Sequence, residues 1–312
     1  MFLHMVGTAM RLSRNALSYQ NRAILIQYLF ATPQLVLFLT LTVVPFFVAL
    51  PVLFTDQANY TDPQINYVGL NNFTALFTDP GLQAEYLPAL RRTVTFVAAN
   101  YLMIYLLGLS LALLMYEIGF RGWFFTAVYL PLMASGFAIG YIAVMLFAVS
   151  TGTANLLLLK LGLIQKAIDI KSGTGTCVIL PILVGWRWAG FNMAIFLSGL
   201  LSIPRETIDA AIVDGASYWQ RLTRIYFPQM WPSFIMASTF CLIGSFGVFD
   251  ELVAMGALYG GNEEAKLLSV FFFNAAFRSD RLALGMTMAL ETFLPLVLIG
   301  VFMQRLQRRL QY

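Results

Sequence analysis

The chain has 312 residues, 59% of them hydrophobic and 11% charged, with a mean hydropathy of +0.76 and a net charge of +4. Soluble domains carry about 25% charged residues, so the composition excludes a soluble globular protein and points to an integral membrane one. Only Cys177, Cys241 and His4 represent their residue types, which argues against a disulfide framework, a zinc site or imidazole catalysis within the membrane.

Residues 1–27 carry Arg11, Arg14 and Arg22 without an acid and read as a cytoplasmic tail. No convincing small-residue cleavage site follows, so the next apolar run is expected to be retained rather than cleaved as a signal peptide. That first span covers about 28–54 and contains Pro33, Pro45 and Pro51. Prolines are tolerated in membranes where neighbouring groups re-satisfy the freed carbonyls. Residues 55–92 are polar, with Asp56, Asp62, Asp79 and Glu85. Span two is expected near 93–116, followed by a short inner turn from Glu117 to Arg121 and span three near 123–148. An outer connection, 149–175, reads as partly helical around Leu156–Leu163. Span four lies near 176–202, span five near 232–256 and span six near 283–304. Between five and six, 257–281 holds Gly260-Gly261, Glu263 and Glu264; after six, Arg305, Arg308 and Arg309 mark a C-terminal tail, 305–312.

The expected fold is therefore all-α and membrane-integral, with six transmembrane helices across 28–304 and both termini cytoplasmic. Ten Lys and Arg residues fall on the assigned inner side and eight on the outer, a weak positive-inside bias; the inner side has four acids and the outer ten.

The segment between spans four and five is the longest water-compatible stretch flanked by apolar ones. Pro204 sits where a helix can begin, since its missing N–H would be unpaired there. Helix is expected from Glu206 through Val213, then a turn at Asp214-Gly215. Ser217 can cap a second helix carrying Trp219, Leu222 and Ile225, with Pro228 closing it. The product is a helix–turn–helix hairpin over about 204–228.

Within that hairpin, Asp209-Ala210-Ala211, Asp214-Gly215-Ala216, Ile225 and Phe227-Pro228 fall at the spacing of the EAA loop. The chain thus resembles the permease subunits of binding-protein-dependent ABC importers. With Trp219 and Arg221 after the glycine, it is similar to the carbohydrate-uptake branch that carries maltose-type sugars and glycerol phosphates. One departure is that Asp209 stands where the family's leading Glu is usual; charge is kept and reach shortened. A second stretch, Tyr67-Val68-Gly69-Leu70-Asn71-Asn72-Phe73 through Asp79-Pro80, resembles the external segment of one of that branch's two paired permease types.

The resemblance implies a sugar, polyol or sugar-phosphate permease in the plasma (inner) membrane of a bacterium or archaeon. It implies a second homologous permease, two cytoplasmic ATPases and an extracytoplasmic solute-binding protein as partners, with ATP and magnesium held by the ATPases. It also implies an ATPase-coupling role for Asp209, Ala210, Ala211, Asp214, Gly215, Ala216, Arg221, Arg224 and Pro228.

The residues give no independent sign of catalysis: no Gly-rich phosphate loop ending in Lys-Ser/Thr is present, nor a serine with a base. The chain is expected to be no enzyme, to hold no cofactor or metal, and to bind lipid rather than nucleic acid. The rival class is an ATP-independent secondary carrier or channel for a small polar solute.

Charges within apolar spans are costly and usually face a cavity. Arg187, between Trp186 and Trp188, reads either as a donor in the translocation path with indole faces for a sugar ring, or as a snorkelling interfacial cation. Asp250 and Glu251, after Phe249, read as a substrate or gate contact or as interfacial acids. Glu291, central in span six, reads as a cavity-facing or paired carboxylate, with Arg187 as a conceivable partner. Gly244 and Gly247 allow close approach either of a second subunit or within this chain's own bundle.

Overall fold

The computed structural model describes residues 21, 24, 26–119, 122–258 and 266–310. His4, Arg11, Arg14, Arg22, Arg121, Gly260-Gly261, Glu263 and Glu264 lie outside the described residues.

The described chain is helical almost throughout. Five helices are long and apolar enough to cross a membrane: α1 (Ile26–Phe54), α3 (Pro80–Ile118), α7 (Gly175–Leu201), the segment Trp231–Ala254, and a last helix whose apolar run is Leu282–Arg309. The pair α4 (Gly122–Met133) and α5 (Gly136–Leu146), bent by 89°, brings the number to six when counted as one crossing. Shorter helices are α2 (Asn71–Thr78) and α6 (Thr153–Lys160). The hairpin contributes α8 (Arg205–Val213) and α9 (218–229). The Trp231–Ala254 segment divides into α10 (Trp231–Phe246) and α11 (Asp250–Ala254); α12 (Leu268–Arg278) and α13 (Leu282–Leu310) follow.

Three spans differ from expectation. The second begins at Pro80, not near 93, because Asp79 caps it: its Oδ1 accepts from Gly81 N at 2.8 Å and Leu82 N at 3.4 Å, with Pro80 in the first turn. At 39 residues α3 is about 58 Å long against about 30 Å of hydrocarbon, so its N-terminal turns stand beyond the apolar layer. The third span is not continuous. The 3₁₀ turn Leu130–Met133 ends α4, and Ser135 starts α5 afresh by accepting from Ala138 N at 3.2 Å. The C-terminal tail placed at 305–312 is helical through Leu310, so Arg305, Arg308 and Arg309 ride on α13.

Prolines explain a further regularity. Each of the three π-turns among the described residues, Leu39–Val43, Gly175–Ile179 and Leu222–Tyr226, ends two residues before a proline (Pro45, Pro181 and Pro228). A proline ring collides with the carbonyl four residues back, and widening the preceding turn makes room without ending the helix. Pro228 therefore does not close α9; helix continues through Gln229.

Helices α3 and α7 lie side by side and parallel, brought close by glycine. A Cβ on Gly185 would stand 2.7 Å from Met103 Cβ, and one on Gly108 would stand 3.0 Å from Asn192 Cβ. Two apolar cores flank this contact. One gathers Phe96, Leu180, Val184, Leu252 and Val270 around the N-terminal halves of α3 and α7. The other gathers Met115, Phe196, Leu200 and Ile203 with Ile208, Leu222 and Tyr226 of the hairpin.

The polar stretch after α1 is ordered by local pairing. Thr55 and Tyr67 form an antiparallel bridge, and the Asp56 carboxylate accepts from Asn66 N at 2.7 Å and Nδ2 at 2.9 Å. Those amides hold the Asp56 carboxyl below its ordinary pKa. The carbonyls of Ala58 and Gln57 accept from Leu282 N and Ala283 N at 2.9 and 3.0 Å, satisfying donors that the start of α13 would leave free.

Candidate functional site

The hairpin is built from a C-cap joined directly to an N-cap. Asp214 ends α8, Gly215 N donates to Ile212 O at 3.0 Å, and Ala216 N donates to Ala211 O at 2.9 Å. Those two bonds with a left-handed glycine make a Schellman motif, and Gly215 has φ +76°. Ser217 then opens α9 with a capping box: its Oγ accepts from Gln220 N at 3.3 Å, while Gln220 Oε1 accepts from Ser217 N at 2.7 Å. Arg221 lies partly buried, donates through Nη1 to Ala216 O at 3.2 Å, and stands 5.9 Å over the Tyr218 ring. It braces the turn; Arg224 is exposed.

The inner side of the hairpin is fastened to the bundle. Ile208, Leu222 and Tyr226 are buried, and the Tyr226 ring meets Tyr116 of α3 edge-on at 5.8 Å. Burial pushes the Tyr226 phenol up, with Tyr116 and Glu117 acting in the same direction. The free side is the tip. Asp209, Ala210, Asp214, Gly215 and Pro228 are exposed, Ala211 and Ala216 partly so. Beside them Val213 is 87% and Trp219 70% exposed, so Trp219 does not join Leu222 and Ile225 on the packed face. A short, internally braced knob thus presents apolar side chains with acids at its edge.

The intramembrane charges are arranged differently from expectation. Arg187 Nη1 donates to Glu251 Oε1 at 2.8 Å, and both side chains are largely buried. The suggested Arg187–Glu291 pair is not formed; Glu291, half-buried on α13, has no ion-pair partner among the described residues. Asp250 is exposed. Trp186 turns to the exposed surface of α7, whereas Trp188 packs inward, edge-on to Phe191 at 5.8 Å with the Arg187 guanidinium 5.7 Å from its ring. The two indoles therefore do not face one another across a ring-sized gap.

Glu251 reaches Arg187 because α5 lets α11 come close. A Cβ on Gly136 would lie 2.7 Å from Asp250 Cβ, and one on Gly140 would lie 2.4 Å from Glu251 O. This glycine pair, spaced by four, was present in the sequence as a close-approach signal.

A seam of uncharged polar groups, not expected from the sequence, lies between α3, α7 and α10. Asn100 Nδ2 donates to Ser245 Oγ at 2.7 Å, and Tyr101 and Tyr105 share Ser238 Oγ at 2.8 and 2.5 Å. Buried Asn100 Oδ1 and Asn192 Oδ1 have no partner among the described residues, and both side chains line a cavity of about 20 Å³, room for one water. Ser238, Cys241 and Ser245 recur on one face of α10, the spacing that could have revealed the seam.

Residues 104–311 match the family described as binding-protein-dependent transport system inner membrane component. That is two thirds of the chain. The chain belongs to this family. Among its relatives is the "Probable starch degradation products transport system permease protein AmyD" of Thermoanaerobacterium thermosulfurigenes, 29% identical over 88% of this chain and 91% of the relative. Another is the arabinooligosaccharides transport system permease protein AraP of Bacillus subtilis, 30% identical over 72% of this chain and 70% of its own. The fold is that of a chain in the crystal structure of a bacterial alginate ABC transporter in complex with alginate pentasaccharide-bound periplasmic protein. The TM-score is 0.75, at 22% identity over 91% of this chain and 94% of that one. This inner membrane component is thus multi-pass and all-α, and its hairpin lies inside the matched region.

Proposed function

We propose that the chain is a permease subunit of an ATP-driven ABC importer for sugars or related polyols and sugar phosphates, and that the 204–228 hairpin couples it to a separate ATPase. The observation that carries the reading is the tip of the hairpin. Its backbone is locked by the Schellman turn and capping box, its inner face is fixed to α3 and α7, and its exposed apolar end has no partner among the described residues. Such an element transmits a rigid-body push: force on Val213 or Trp219 is passed through Ile208, Leu222 and Tyr226 to the bundle rather than absorbed by loop flexing.

The cycle that follows has ATP-driven approach of two ATPases moving the hairpins and so turning the spans from inward-facing to outward-facing, a binding protein releasing solute at the far end, and a second homologous permease completing the path. ATP and magnesium belong to the ATPases. Relatives named for starch products, arabinooligosaccharides and trehalose support a carbohydrate solute. The hairpin and both termini are then cytoplasmic.

The test is Gly215→Asp in the assembled importer. Only the left-handed φ demands glycine within this chain, since a Cβ there meets nothing within 4 Å. Insertion should survive and ATP hydrolysis continue, while solute uptake is lost. Uptake at the unaltered rate would remove the coupling role from the hairpin.

A further inference from the structure

A cleft of about 690 Å³ opens between the N-terminal parts of α3 and α7, outside the hairpin, the ion pair and the polar seam. Leu87, Pro88, Arg91, Arg92 and Thr95 line one side, and Ser172, Thr174 and Cys177 line the other. Arg92 is held in place, its Nε donating to Lys266 O at 3.0 Å. Arg91 is exposed and its guanidinium has no hydrogen-bond or ion-pair partner among the described residues. The cleft lies at a defined depth, because the uncharged run of α3 begins at Thr93, directly after the two arginines. Arginines at the edge of an apolar run sit at headgroup level.

The surface below the cleft is apolar and open. On α3, Val94 and Leu102 are 52% and 55% exposed; on α7, Val178, Ile182 and Trp186 are 51%, 42% and 47% exposed. These residues continue the Arg91 and Thr174 faces toward the middle of the bundle at helical spacing. A cationic, hydroxyl-lined mouth over an unbroken apolar strip matches one kind of occupant in both chemistry and length: a phosphate group carrying acyl chains.

We propose that this cleft binds an anionic phospholipid, its phosphate paired with Arg91 and its acyl chains lying along the strip between α3 and α7. Arg91 supplies the geometry a phosphate prefers, two parallel N–H donors, and Arg92 fixes the wall beside it. A free anion would use the mouth but not the strip, and a permease partner would cover both. The site requires only that the chain be embedded in a membrane, so it stands apart from the coupling role of the hairpin.

The experiment is native mass spectrometry of the full chain with its copurifying subunits, exchanged into micelles containing equal phosphatidylglycerol and phosphatidylcholine. Phosphatidylglycerol should be retained preferentially, and Arg91→Gln should lower that retention about fivefold, the effect of one basic residue at an anionic surface. Arg91→Lys should keep most of it, and Lys160→Gln, outside the cleft, should change nothing. Thermal unfolding of each variant confirms that the fold is intact. Three results would overturn the proposal: equal retention of both lipids, retention unaffected by Arg91→Gln, or displacement of phosphatidylglycerol by millimolar inorganic phosphate.

Discussion

Arg187 on α7 and Glu251 on α11 meet at 2.8 Å, with side chains only 16% and 6% exposed, across 64 positions of sequence. The pair ties α7 to the short helix that follows the break after α10. It neutralises two charges that neither helix could bury alone.

Removing one member strands the other. Glu251→Gln and Arg187→Met should each destabilise the assembled protein by about 3–5 kcal/mol, because a buried charge is left uncompensated. The double variant Arg187→Met with Glu251→Leu should recover much of that loss. Thermal unfolding of the four proteins in one detergent gives the cycle. Additive effects would show that the two side chains do not depend on each other.

Close approach of α5 is what delivers Glu251. Gly140→Ala places a Cβ against the Glu251 carbonyl and the Ala254 methyl, contacts that cannot yield without moving backbone. Overpacking of this kind costs about 1–3 kcal/mol. Gly244→Ala meets nothing within 4 Å and should be silent in the isolated chain. If Gly244→Ala proves the more damaging in the assembled importer, that glycine faces a second subunit.

The hairpin was largely legible from sequence because its determinants are local. Asp214-Gly215 predicts the turn, and Ser217 with Gln220 three residues on supplies a complete capping box. Pro204 marks the start of α8 to within one residue. Long-range relationships were not legible in the same way. Nothing near Arg187 selects Glu251 over Glu291, since both are acids in apolar runs. The choice is made by the α5–α11 contact, which is a property of the packed bundle. The bend between α4 and α5 lay between these cases: Pro131 and Ser135-Gly136 signalled it, but the hydropathy runs on unbroken through them.

Capping also makes a quantitative claim. Ser217→Ala removes the acceptor for Gln220 N and should cost about 0.5–2 kcal/mol of local stability. Hydrogen exchange at Tyr218 to Arg221 reads it directly, and protection unchanged in the variant would mean that Tyr226 and Leu222 alone hold α9.

Arg221 and Arg224 should separate in function. Arg221 is turned inward onto Ala216 O, so Arg221→Ala should loosen the turn and lower both coupling and hairpin protection. Arg224 is exposed and makes no bond within the described chain, so Arg224→Ala should leave hairpin protection unchanged and alter only partner binding. Comparing hydrogen exchange with copurification of the ATPase distinguishes the two effects.

The most direct test of the coupling claim is photocrosslinking from Val213, the most exposed large apolar residue at the hairpin tip. A photoreactive amino acid there, in cells expressing the full importer, should join this chain to a cytoplasmic ATPase and do so more or less strongly as nucleotide is added or withdrawn. Crosslinks only to lipid or to extracytoplasmic protein would place the hairpin on the wrong side of the membrane and contradict the account.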